Sequence, residues 1–191
     1  MLQPETVLDF WFGKPDEEDY GKPRKAWFVK KTEFDQEVRS RFREYYQQAA
    51  TGNLNHWRES PDGCLALIIL LDQFPRNMFR DRPQAFATDS QALAVAQYTI
   101  ASGFEQKLLP VQRWFIYIPF EHSENLQNQR YCVELFSSLE DDPYSVDTID
   151  YAYRHLKIIE RFGRFPHRNK ILDRESTPEE VEFLKQPGSS F

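Results

Sequence analysis

The chain has little glycine, only 7 in 191 residues, and nowhere does it alternate polar and apolar residues over the length of a strand. Those two lacks argue against a β-fold, which needs flexible turn residues and a two-residue side-chain period. Cysteine is scarcer still. Cys64 and Cys132 each sit among apolar neighbours, so neither a disulfide framework nor a paired-cysteine metal motif is expected, and a reducing cytoplasmic setting is the simplest reading. Long hydrophobic runs are also missing. The longest, Cys64 to Leu71, falls far short of the roughly 20 residues that cross a bilayer. The start from Met1 to Phe12 lacks the basic flank of an export signal. Neither membrane insertion nor export is therefore expected. Positive charge is in deficit as well: a formal net charge of −6 and a pI near 5.3 disfavour nucleic acid as a partner.

What the sequence does have is helical periodicity and aromatic bulk. Apolar residues recur at intervals of three and four, and 16 Phe with 4 Trp supply large buried area for an aromatic-rich core. Pro4 to Phe12 reads as a short docking helix stopped by Gly13, and Thr32 to Gly52 as a long amphipathic one. Ser60-Pro61 opens a helix that is apolar on every side through Leu71, hence central, with its exit fixed by Pro75. A further helix follows an Asp89 cap and stops at Gly103. Pro110 and Pro119 bracket a short helix, Val111 to Ile118, after which another is expected from about Phe120 to Leu139. Val146 to Phe162 and a capping-box helix launched by Thr177-Pro178-Glu179-Glu180 complete the set. The expected class is all-α, one domain over residues 1–191, with about eight helices.

Function is to be sought where polar groups occupy positions that the helical period assigns to the interior, because their burial costs free energy unless they are paired. Three segments qualify. In Asp72-Gln73-Phe74-Pro75-Arg76-Asn77 the carboxylate needs a cation, with Arg76 and Arg80 nearby and the later basic segment as a distant source. A buried ion pair between helices and a ligand site are both open readings. In Pro119-Phe120-Glu121-His122-Ser123-Glu124-Asn125 the imidazole lines up with Leu126, Gln129, Val133 and Phe136 and so faces inward. Flanked by carboxylates at a helix start, His122 is a candidate general base oriented by Glu121 or Glu124, or a core histidine satisfied by a neighbour. Ser123 is no nucleophile for it, since adjacent helical residues point about 100° apart.

The third segment is Arg161-Phe162-Gly163-Arg164-Phe165-Pro166-His167-Arg168-Asn169, inside a basic zone within an acidic chain. Arg154, Lys157 and Arg161 fall opposite the buried stripe and read as a solvated face. Arg164, His167, Arg168 and Asn169 lie in a turn shaped by glycine and proline, where donors can converge on a carboxylate or phosphate; His167 is a second candidate base. The tetrapeptide Phe74-Pro75-Arg76-Asn77 echoes Phe165-Pro166-His167-Arg168-Asn169, so the two could be structural corners or could frame one pocket. No His-Glu-x-x-His or Glu-x-x-His pair occurs, so no metal site and no cofactor are expected.

These three segments, together with Ser176-Thr177 and Glu180, resemble the signature of an uncharacterised bacterial family, domain of unknown function 924. Val7-Leu8-Asp9-Phe10-Trp11-Phe12 and Trp27-Phe28 are similar to its opening motif, so the likeness spans nearly the whole chain; Asp173 stands where that pattern leads to an expectation of glycine. The resemblance implies antiparallel helix pairs stacked in a tetratricopeptide-like right-handed array, and it implies no activity. No tetratricopeptide consensus is visible in the spacing itself. The favoured expectation is a non-catalytic binding module. Its polar site would hold a small anionic molecule or a peptide end, through Asp72, Arg76, Asn77, Glu121, His122, Arg164, His167, Arg168 and Asn169. The alternatives are a metal-independent hydrolase or lyase using a His/Glu acid-base pair, and a protein whose polar motifs only lock helices together.

Overall fold

The computed structural model describes residues 2–190; Met1, with which the expected non-export start begins, lies outside them, as does Phe191. Among the described residues eight α-helices form and no strand does. They are α1 (Pro4–Phe12), α2 (Thr32–Ala50), α3 (61–78), α4 (Asp89–Ala101), α5 (Pro110–Glu121), α6 (Leu126–Ser137), α7 (Val146–Phe162) and α8 (Pro178–Leu184). Proline stands in the first turn of α1, α3, α5 and α8, where its missing N–H has no helical partner to lose. Gly163 ends α7 at φ 68, the left-handed region that glycine enters without strain. Asp173 adopts φ 54, which accounts for an expectation of glycine at that position.

Helices α3 and α5 form the centre. Every residue from 63 to 72 of α3 is buried, as is nearly all of α5, because both are apolar around their whole circumference. α1, α2, α4 and α5 pack on α3; α6 and α7 pack on α5 and on each other; α8 covers the turn that follows α7. Rings tie these layers together: Trp11 of α1 stands 5.5 Å from Phe74 of α3 and 5.6 Å from Phe115 of α5, in edge-on contacts. Among the described residues no helix is long and apolar enough to cross a membrane.

Two prolines expected to end helices do not. α3 continues past Leu71 by slipping from α-helical Pro61–Ile68 into a π-helical turn, Ile69–Gln73, and then back into α-helix, Phe74–Met78. Pro75 has no N–H, and in an α-helix its ring would press on the carbonyl four residues earlier, that of Leu71. The wider turn makes room for the ring, and the freed Leu71 carbonyl accepts a hydrogen bond from Thr88 Oγ1 at 2.6 Å. Pro119 likewise sits inside α5, which runs on to Glu121. His122 therefore closes a helix instead of lying within one that begins near Phe120, and the next helix starts only at Leu126, capped by Asn125.

Candidate functional site

The π turn of α3 sets Asp72 and Arg76 on one side of the helix, where Asp72 forms the fully buried end of a charged cluster. Arg76 Nη1 lies 3.3 Å from Asp72 Oδ1 and donates to the Asp72 carbonyl at 2.7 Å. Its guanidinium also grips both oxygens of Asp89, at 2.9 and 3.0 Å. The sequence points to Asp89 as the cap of α4; it is instead that helix's first residue, following Thr88, and its carboxylate is spent on Arg76. It is the member of the site that sequence reasoning missed. The available signal was an acidic side chain at a helix start, where the positive end of the dipole also favours it.

His122, at the end of α5, places Nδ1 2.7 Å from Asp72 Oδ1. Burial pushes the Asp72 pKa up, but Arg76 and then His122 overcome it and hold the carboxyl at about 2. An ionised carboxylate can only accept, so Nδ1 carries the proton and Nε2 presents its lone pair. Burial and the Arg76 charge lower the His122 pKa below 6.5 despite Asp72, so the ring is neutral at pH 7. Its side chain keeps 18% of its surface in solvent.

Arg168 completes the cluster from the turn Pro166–Arg168. Nη1 donates to the His122 carbonyl at 3.0 Å and stays 3.8 Å from Asp89 Oδ2. The guanidinium is centred 4.5 Å over the Phe165 ring and 4.9 Å over Phe86. Its side chain is 8% exposed, and the buried Nε has no hydrogen-bond partner among the described residues. Burial, and then the neighbouring Arg76 charge, lower the Arg168 pKa to about 10, whereas Asp72 and Asp89 raise that of Arg76 against its own burial. The three sequence segments thus meet, through Asp72, Arg76, His122 and Arg168, with Asp89 added.

Six other candidates are drawn elsewhere. Asn77 donates to Asp35 of α2 at 2.8 Å and Arg80 pairs with the same carboxylate, so neither serves Asp72. Glu121 pairs with His155 Nδ1 at 2.7 Å. Glu124 receives both ends of Arg174, at 2.7 and 3.0 Å, and the Phe165 N–H at 2.8 Å. The carboxylate that orients His122 is accordingly Asp72, in place of Glu121 or Glu124. Arg164 closes bidentately on Glu180, at 2.7 and 2.8 Å, and Asn169 donates to Ser176 and accepts from Arg174. Glu180 is held at about 2, chiefly by the Arg164 hydrogen bonds. His167 lies between the two groups of charges; burial and then Arg168 depress its pKa to about 4.

Two surface clefts, of about 330 and 380 Å³, include none of the cluster's charged residues; Leu71 and Ser90, on the rim of the first, are the chain neighbours of Asp72 and Asp89. Among the described residues no three His, Cys, Asp or Glu side chains gather so as to hold a metal ion.

Over residues 7–188 the chain matches the profile of a family described as a bacterial protein of unknown function (DUF924). It is similar to a solved structure, a protein of unknown function from Agrobacterium tumefaciens, at 39% identity and a TM-score of 0.83, over 95% of this chain and 96% of that one. Among curated proteins nothing matches.

Proposed function

The chain belongs to the bacterial family of unknown function DUF924, and from that premise, which brings no activity with it, we propose that the polar cluster takes up a small anionic molecule, carboxylate- or phosphate-bearing, at Arg168. The observation that carries this reading is the incomplete neutralisation of one buried guanidinium. Arg76, Arg164 and Arg174 are each held by a carboxylate with two hydrogen bonds, while Arg168 has a carbonyl, a carboxylate 3.8 Å away and an Nε without a partner among the described residues. A buried cation in that state costs free energy until an anion approaches it. The planar fork of a guanidinium matches carboxylate or phosphate with two parallel bonds. Arg164 drops out of the binding set, since Glu180 occupies its fork.

The test is calorimetric titration of the full chain with inorganic phosphate and with malonate. The wild type should bind at least one of them. Arg168→Met should weaken that binding about tenfold or more, about 1.4 kcal/mol, while Arg164→Met should leave it unchanged. Equal affinity in wild type and Arg168→Met would overturn the proposal.

A further inference from the structure

The pairing of Asp72 with His122 adds a chemical capability to this site, one that rests on the anion-binding reading of Arg168. We infer that the protein hydrolyses an ester that carries a second, anionic group: Arg168 holds the anion, and His122 Nε2 removes a proton from the attacking water.

Four observations support the assignment. The buried carboxylate of Asp72, 2.7 Å from Nδ1, fixes the ring orientation and the tautomer that leaves Nε2 basic. The side chain is neither sealed nor fully exposed, with 18% of its surface open. Among the described residues Nε2 makes no hydrogen bond, so its lone pair is uncommitted. Finally, neither the hydroxyl beside His122 in sequence nor either thiol is coupled to the ring: Ser123 Oγ is engaged with the Asn125 N–H and the Asn128 amide and makes no hydrogen bond to His122 among the described residues, and Cys64 and Cys132 are buried. Water is then the species to be activated.

The step balances without a further reagent. As the water oxygen bonds to the acyl carbon, its proton passes to Nε2, and the resulting imidazolium is stabilised by Asp72. The bond from acyl carbon to the alcohol oxygen then breaks, and the Nε2 proton goes to the departing alkoxide. Ester and water become acid and alcohol, with the imidazole restored. Asp72 is the positioning residue, since it acts only through His122.

The groups facing His122 are Asp72 and Arg76 from α3, Asp89 from α4, and Arg168 and His167 from the turn after α7. Burial and Arg76 outweigh the two carboxylates, so the base takes up its proton at a pH below the ordinary histidine value of 6.5. Activity should accordingly hold as pH falls to 6.5 and decline only below that.

The probe is mono-4-nitrophenyl terephthalate, whose carboxylate is too rigidly distant to attack its own ester, with 4-nitrophenyl benzoate as the neutral control. The wild type should release nitrophenol from the charged ester faster than from the neutral one. His122→Gln should lower that rate roughly 100-fold, and Arg168→Met should remove the preference for charge. Phosphate titration of His122→Gln separates the two readings: retained binding shows that the variant is folded and its anion site intact. Wild-type rates no higher than those of free imidazole, with phosphate still bound, would overturn the hydrolytic inference and leave the binding site standing. Equal rates in wild type and His122→Gln would overturn it too, by placing the reaction on another side chain.

Discussion

The Glu124–Glu180 cluster and the Asp72–Asp89 cluster both draw on the segment 164–174, yet they are finished differently. In the first, Arg174 spans both oxygens of Glu124, Arg164 spans both oxygens of Glu180, and Asn169 joins the two halves through Ser176 and Arg174. Every cation has its own carboxylate, which is the arrangement expected of a lock between α7, α8 and the end of α5. In the second, Arg76 takes the carboxylate of Asp89 and shares that of Asp72 with His122, leaving Arg168 a carbonyl, two ring faces and an already engaged carboxylate at 3.8 Å. Buried charge alone therefore does not mark a site in this fold. The mark is a buried charge whose partners run out.

The largest effect should come from Asp72→Asn, which removes the charge that neutralises Arg76 and orients His122 at a fully buried position. Breaking such a pair from one side leaves two buried guanidiniums, Arg76 and Arg168, with the single carboxylate of Asp89 between them, so urea denaturation should show a loss of about 3 kcal/mol. An unaltered midpoint would mean that Asp72 carries no structural charge, and the comparison would lose its second half.

Acid should separate the clusters in sequence. His167, depressed to about 4, is neutral in the fold but protonated in the unfolded chain between that value and the ordinary 6.5, and the lowered pKa of His122 acts in the same direction. The unfolded state then binds more protons, so stability is complete above pH 6.5 and is lost as pH falls towards 4, by roughly 2 kcal/mol after allowing for partial exposure. The carboxylates of Asp72 and Glu180, each held at about 2, add a second loss beginning below about pH 4.5. His167→Gln should flatten the first window of unfolding free energy against pH and spare the second; an unchanged slope would place the proton uptake elsewhere. Glu180→Gln should cost less than Asp72→Asn, about 2 kcal/mol. It weakens the grip on Arg164 and the acceptor side of the capping box with Thr177, but Arg164 can relax into solvent.

Much of this architecture was legible in the residues. The spans of α2 and α7, the opening prolines, the stop at Gly163 and the Thr177–Glu180 box were readable because each is a local rule acting within a few residues. Arg76 as the cation for Asp72, and the exposure of Arg154, Lys157 and Arg161, followed from helical spacing. Pro75 and Pro119 misled because local rules read proline as a boundary, whereas burial kept both helices intact and a π turn absorbed the first ring. The echo of Phe-Pro-Arg-Asn was half informative: Arg76 and Arg168 both approach Asp89, but Asn77 and Asn169 point into different networks. Glu124 with Arg174, fifty residues apart, was out of reach, since periodicity tells which face a side chain takes and not what it meets there. His155 was within reach, three residues after Ala152 and four before Ile159 on the same buried stripe.

The smallest stability effect should be the most informative. Arg168→Met keeps a long stem against Phe86 and Phe165 while removing a guanidinium that burial and Arg76 already disfavour. Were Arg168 a lock like Arg164, the substitution would strand a carboxylate and lower stability by about 2 kcal/mol or more. Asp89, however, keeps both bonds from Arg76, and the loss to the fold reduces to one bond on the His122 carbonyl, about 1 kcal/mol, offset in part by the desolvation no longer required. A denaturation midpoint within about 1 kcal/mol of wild type, in a variant that no longer gains thermal stability from added phosphate, is the outcome that sets this residue apart from its neighbours. A large loss of stability together with an unchanged response to phosphate would make Arg168 one more lock, and the two clusters would cease to differ.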